Sequence, residues 1–216
     1  MKTNSFFVFS LIICMYFQGQ PVLSQNLHRK ERFNRILNAN NLTFSLPKRY
    51  AEVDTALIKK NFSFFVLRYV NDCQIESTSG NVMIFTVFLE YSKSDEDKIK
   101  RLYPNRNIDL KNDHLNIIRK LISENNKQFK DTISFNEKDI YFYSNKCLKS
   151  LGADIAGDYT MKLASPYLGE YNYVTYRFIG RNYKMWIHTY IFYKVYNPNT
   201  AKKTLKETLF LFKIKN

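Results

Sequence analysis

Three histidines, His28, His114 and His188, are the side chains of this 216-residue chain whose ordinary pKa lies near neutrality. None stands in a His-Glu-x-x-His arrangement and no Cys-x-x-Cys pair accompanies them, so a zinc hydrolase or zinc knuckle has no basis in the spacing. Cys147 with His188 or His114 makes a nucleophile and base on paper. No Gly-x-Ser-x-Gly elbow is present, which removes the commonest serine hydrolase signal. Gly152-Ala153-Asp154-Ile155-Ala156-Gly157 has the glycine spacing of a phosphate loop, but Asp158-Tyr159 follows where Lys and Ser/Thr are required, and an acid there repels phosphate. Asp154 and Asp158 with Glu137 or Asp139 offer oxygens to a cation, yet a calcium loop needs denser ligands, and a solvated turn is the simpler reading. One constellation remains for an enzyme: His188, Tyr190, Asp154 and Asp158, brought together only by folding and suited to a hydrolase. A histidine placed like His188, between Trp186 and Tyr190 on a strand, is more often a hydrogen-bonded packing residue than a base. No cofactor or metal is implied.

Charge is the most conspicuous global feature: 33 Lys+Arg stand against 19 Asp+Glu, a formal net of +14. The cations cluster at Arg29, Lys30, Arg32 and Arg35, at Lys98, Lys100 and Arg101, and at Lys202, Lys203, Lys206, Lys213 and Lys215. Interleaved aromatics would suit single-stranded nucleic acid, but the rings fall at sheet periodicity and the chain opens like an exported one, so nucleic acid is disfavoured. An anionic envelope surface, polysaccharide or an acidic protein is the more natural partner.

Lys2 is the only charge before His28, Phe6 to Phe17 form an apolar run, and Val22-Leu23-Ser24 precedes a cleavage position at Gln25. The expectation is a signal peptide over 1–24 and a secreted or periplasmic chain over 25–216. The run is shorter than the ~20 residues a bilayer-spanning helix needs, and no later segment reaches that length without a charge, so the mature chain has no transmembrane segment. Leu11-Ile12-Ile13-Cys14 gives the alternative of a lipoprotein anchored through Cys14. With Cys14 removed, Cys73 and Cys147 remain, and a pair of cysteines in an exported protein favours a disulfide. Asn41-Leu42-Thr43 and Asn61-Phe62-Ser63 match glycosylation sequons.

These residues must be positioned by an alternation of strands and helices. A basic amphipathic helix is predicted over 26–38, with Leu27, Phe33, Ile36 and Leu37 on one stripe. Leu42, Phe44 and Leu46 alternate with Thr43 and Ser45 in a short strand that Pro47 ends. Strands follow at Phe62 to Val70 and Val82 to Tyr91, apolar on consecutive positions and joined across the Ser77–Asn81 turn. Ser94 caps a helix that Pro104 closes, and Asn112 or Asp113 begins a longer one carrying Leu115, Ile118, Leu121 and Ile122, which Phe129 extends. Ile140 to Tyr143 is a strand, Ser144 or Asn145 starts a helical turn through Cys147 to Leu151, and Gly152 to Gly157 is a loop. Tyr159 to Leu163, Tyr171 to Ile179 and Tyr183 to Val195 are strands, the last two joined by Gly180-Arg181-Asn182. Pro198 and Asn199 begin a segment in which Ala201, Leu205, Leu209 and Phe212 fall at helical spacing while Phe210, Phe212 and Ile214 fit a strand equally well; a helix followed by a few extended residues is the favoured reading. No repeat or linker divides the chain, and about 190 residues suit a single domain.

The resulting class is α+β: a single antiparallel sheet of about five to seven strands with helices packed on both faces. The Leu42-Thr43-Phe44-Ser45-Leu46-Pro47-Lys48-Arg49-Tyr50 segment, followed by paired strands, a mid-chain helix and a strand-rich last third, resembles the Mog1/PsbP-like α/β/α sandwich. That resemblance implies a binding or assembly factor and transfers no catalytic residue. The functional expectation is an exported, non-enzymatic binding or assembly module of the cell envelope or extracellular space. The competing expectation is the exported hydrolase built around His188.

Overall fold

The computed structural model describes residues 22–53, 73–102, 104, 112–127 and 134–215. Its helices are α1 (Val22–Ala39), α2 (Lys93–Leu102), α3 (Asp113–Asn126), α4 (Asn145–Leu151) and α5 (Pro198–Glu207). The strands are β1 (Leu42–Phe44), β2 (Tyr50–Glu52), β3 (Cys73–Ser77), β4 (Val82–Glu90), β5 (Tyr141–Phe142), β6 (Ile155–Tyr167), β7 (Tyr171–Arg181), β8 (Met185–Tyr193) and β9 (Phe212–Ile214). The chain is α+β. Seven strands form one antiparallel sheet in the order β2-β3-β4-β8-β7-β6-β5, and β1 pairs with β9 in a separate ribbon. The expected strand at Phe62 to Val70, the extension of α3 by Phe129, and the leader up to residue 21 lie outside the described residues. Residues 22–24, assigned to the leader by sequence, begin α1.

Alternation along β8 sorts the core. Trp186, Tyr190 and Phe192 join an aromatic cluster with Phe85, Tyr176 and Phe178, to which α3 adds Ile117, Ile118, Leu121 and Ile122. Met185, Ile187, Ile191 and Tyr193 join an aliphatic cluster with Ile75, Ile84 and Ile179, to which α1 adds Ile36, α4 Leu151 and α5 Ala201. Every residue of β8 is buried, as the uninterrupted apolar run of a central strand requires. Phe33 of α1 packs at 5.3 Å from Phe44, 5.9 Å from Phe88 and 6.3 Å from Phe212, so one ring ties the helix to the ribbon and to β4.

The longest departure from expectation is β6, which runs from Ile155 through the residues read as a loop and past Leu163 to Tyr167. Gly157 stays extended because the Phe178 ring opposite lies over it: a Cβ there would sit 2.7 Å from that ring. Gly180 is covered in the same way by Trp186, at 2.4 Å from a Cβ. These glycines are cross-strand seats for aromatic rings rather than turn residues. The register of β6 on β7 shifts between Lys162 and Tyr167, and the buried side chain of Asn125 on α3 serves that irregular stretch, donating to Lys162 O at 3.0 Å and accepting from Ala164 N at 2.8 Å. The cap of α2 also differs. Ser92, not Ser94, holds the end, its Oγ accepting from Asp95 N at 3.1 Å while Asp95 accepts from Ser92 N at 2.8 Å.

Candidate functional site: a basic layer above a buried arginine

The four residues expected for a hydrolase do not meet. His188 is fully buried in β8, its Nδ1 2.6 Å from the Tyr176 hydroxyl, and Tyr190 stacks beside Tyr176 at 5.3 Å. Asp158 faces the other way. It stands opposite Arg177, and Arg177 stands opposite Thr189, the neighbour of His188 in β8, so strand alternation puts Asp158 and His188 on opposite sides of the sheet. Asp154 is exposed before β6 and accepts from Asn182 N at 2.8 Å across the β7–β8 turn. Burial, with a smaller contribution from nearby His114, pushes the His188 pKa down to about 3, so the ring is neutral at physiological pH. His114 is a packing residue too, stacked on Phe178 at 4.4 Å and tilted against Trp186 at 5.3 Å. Among the described residues no group of three or more His, Cys, Asp or Glu is placed to hold a metal ion.

Cys73 and Cys147 are both free thiols, which corrects the expected disulfide. Both belong to the aliphatic cluster, but Cys147 sits beside Arg177 and Asp158 of β7 and β6, whereas Cys73 is in β3. β3 lies three strands from β7, about 14 Å at ~4.8 Å per strand, beyond the reach of a disulfide. Burial raises the Cys147 pKa, outweighing the opposing influence of Arg177, so this thiol is not an activated nucleophile.

Sequence reading missed the residue that organises this region. Arg177 is buried in the middle of β7, with its guanidinium engaged at each nitrogen. Nε donates to Asp158 Oδ1 at 2.8 Å, Nη2 to Asp158 Oδ2 at 3.2 Å and to Leu205 O at 3.0 Å, and Nη1 to Thr208 Oγ1 at 3.1 Å. Tyr143 donates to Asp158 Oδ2 at 2.7 Å. Burial is the largest single influence and works against the charge on Arg177, but Asp158, Tyr143 and Tyr193 together outweigh it and its pKa rises above the ordinary arginine value. The consequence is mechanical. A positive group meets the carbonyl end of α5, where the helix dipole is negative, and fixes that helix to the sheet. The available signal was a single charge inside the aromatic run Tyr171–Ile179.

The helix so anchored is basic on its outer side. Ala201, Thr204 and Thr208 turn inward, while Lys202, Lys203 and Lys206 are exposed. The same arrangement holds in α1, where Ile36 is buried and Lys30 and Arg35 are exposed, with Arg32 half-buried; of Arg29 only its place in the helix is described. β9 adds Lys213, and Lys215 follows it, the two alternating with buried Phe212 and Ile214. The first and last cationic clusters of the sequence therefore share the layer over the aliphatic cluster. Among the described residues, none of Lys30, Arg35, Lys202, Lys203, Lys206, Lys213 or Lys215 forms an ion pair.

The middle cluster behaves differently. α2 carries Lys93, Lys98, Lys100 and Arg101 against Asp95, Glu96 and Asp97. Lys100 pairs with Glu96 at 2.6 Å, and Lys93 with Asp97 at 2.8 Å and with Glu96 at 3.2 Å; the hydrogen bonds to Glu96, that from Lys100 foremost, hold its carboxyl below its usual pKa. Around α3, Arg119 pairs with Glu137 at 3.3 Å and Lys127 with Glu124 at 2.8 Å. Here Lys93, Lys100 and Arg119 meet acids close by, while Lys98 and Arg101 form no ion pair among the described residues.

Compared with models of known protein families, with curated proteins and with solved structures, the chain matches none.

Proposed function

We propose that the protein is an exported, non-enzymatic binding or assembly module of the cell envelope or extracellular space that docks on an anionic surface through the layer formed by α1, α5 and β9. The segregation of charge carries this reading. Lys30, Arg35, Lys202, Lys203, Lys206 and Lys213, which form no ion pair among the described residues, lie on elements tied to one another by the ribbon and the aliphatic cluster, while Lys93 and Lys100 of α2 and Arg119 of α3 are paired with acids. Unneutralised lysines and arginines on a common layer produce a positive potential that concentrates phosphate or sulfate groups. The low-charge leader supports export, and the resemblance to Mog1/PsbP-like binding and assembly factors points to the same kind of role.

Retention on a heparin column across a salt series tests the surface. Binding at low salt should fall steeply as salt rises, because exposed charges are screened beyond about 10 Å at 0.1 M. Changing Arg29, Lys30, Arg32 and Arg35 together to Gln should shift elution to lower salt, as should changing Lys202, Lys203 and Lys206. A protein that runs through the column at low salt sinks the reading. Recovery outside the cytosol with a new N-terminus at Gln25 tests export, and a full-length product confined to the cytosol defeats it.

A further inference from the structure

The basic layer also holds two large apolar side chains in the open. The ribbon register pairs Leu42 with Ile214 and Phe44 with Phe212, and the bond from Ser45 N to Leu211 O at 3.0 Å carries that register one residue further. The next facing positions are Leu46 and Phe210. Beyond that bond the strand alternation ends, Leu211 being buried, and Leu46 and Phe210 stand past the edge of the cluster at 41% and 46% exposure. Lys48 and Arg49 follow Leu46 within three residues and Lys206 precedes Phe210 by four, all exposed. The other exposed pair, Tyr141 and Phe142 on edge strand β5, differs in both respects. Phe142 already packs edge-on against Phe178 at 5.9 Å, and the acids Glu137 and Asp139 precede it.

We propose that Leu46 and Phe210 form an apolar wedge that enters the interfacial zone of an anionic lipid bilayer while Lys48, Arg49 and Lys206 engage the headgroups beside it. This rests on the anionic-surface reading and names lipid as the surface. A soluble polyanion uses the cations alone and gains nothing from the apolar pair. A bilayer rewards both, because the headgroup layer attracts basic residues and the acyl boundary takes up apolar side chains. The anchoring of α5 by Arg177 and the pairing of β1 with β9 make the wedge a fixed feature of the surface.

The experiment compares the processed protein with a Leu46→Ser/Phe210→Ser variant on phosphatidylcholine–phosphatidylglycerol vesicles and on heparin. The variant keeps every charge. Its vesicle partitioning should fall roughly tenfold, as expected for losing two partly buried apolar groups, with heparin elution unchanged. Equal vesicle binding by variant and wild type overturns the wedge while leaving the anionic-surface reading intact. Wild-type retention on heparin without vesicle binding does the same. Failure of the wild type on both matrices removes the anionic-surface reading and the wedge with it. A Phe210→Trp variant gives a second readout free of any folding defect in the double variant. The only native tryptophan, Trp186, is buried, so a blue-shifted emission on adding vesicles reports entry of position 210 and an unshifted one overturns it.

Discussion

The aromatic and aliphatic clusters are built on the same strands, yet each accommodates its buried polar group by opposite means. In the aromatic cluster His188 gives up its charge: burial holds it neutral, and it packs as one more ring against Tyr176. In the aliphatic cluster Arg177 keeps its charge, because Asp158 and the end of α5 together satisfy it. The surfaces above follow an analogous division. Ion pairs engage Lys93 and Lys100 of α2 and Arg119 of α3, whereas Lys30, Arg35, Lys202, Lys203, Lys206 and Lys213 form none among the described residues. A strand thus determines which side a residue faces, but the layer placed over that side decides whether its charge is cancelled or displayed.

The largest test of this contrast is Arg177. Arg177→Met should cost about 3–5 kcal/mol in urea unfolding, since it leaves the Asp158 carboxylate buried and unpaired, and Arg177→Met/Asp158→Leu should recover much of that loss. A single-variant cost under about 1 kcal/mol would mean the pair is not desolvated as described. Next is Gly180→Ala. Its new methyl would collide with the Trp186 ring, and the forced repacking should cost about 1–3 kcal/mol, with the near-ultraviolet signal of Trp186 altered. An unchanged Tm and an unchanged tryptophan signal would show that the ring is not seated there.

The contrast also sets a pH dependence. The unfolded chain binds a proton at His188 near pH 6.5 and the folded chain only near 3, so in that window the unfolded state holds more protons. His188 therefore contributes no penalty above pH 6.5, and stability falls as pH drops below it, by up to about 1.4 kcal/mol per unit. Acid unfolding of His188→Leu should show a shallower slope than wild type between pH 6.5 and 5, although Leu forfeits the bond with Tyr176. Parallel slopes would place His188 in contact with water. The smallest effect is expected at the surface. Lys127→Gln, which breaks an exposed pair with Glu124, should change stability by less than about 0.5 kcal/mol and leave heparin elution close to wild type, whereas Lys202→Gln, equally neutral for stability, should elute earlier. Equal shifts for the two would erase the distinction between the layers.

Local signals in the chain were sufficient for much of this. Helical spacing placed α1, α3 and α5 to within a few residues, the Ser77–Asn81 turn and the Gly180–Asn182 region marked hairpins, and the alternation of β8 separated Trp186, His188, Tyr190 and Phe192 from Met185, Ile187, Ile191 and Tyr193. Each depends only on side-chain chemistry within a few residues and on the fixed periods of helix and strand. Net charge and the identity of the cationic clusters were legible for the same reason. Other features required distant segments to meet. Only the pairing of β4 with β8, about a hundred residues apart in sequence, and the register of β6 on β7 decide that Asp158 meets Arg177 and not His188. The same sheet order separates Cys73 from Cys147, makes Gly157 a seat for Phe178, and brings the first and last basic clusters into one layer while leaving the middle one in another. Periodicity assigns a residue to a face, but which strand lies beside it is settled by the packing of the whole sheet.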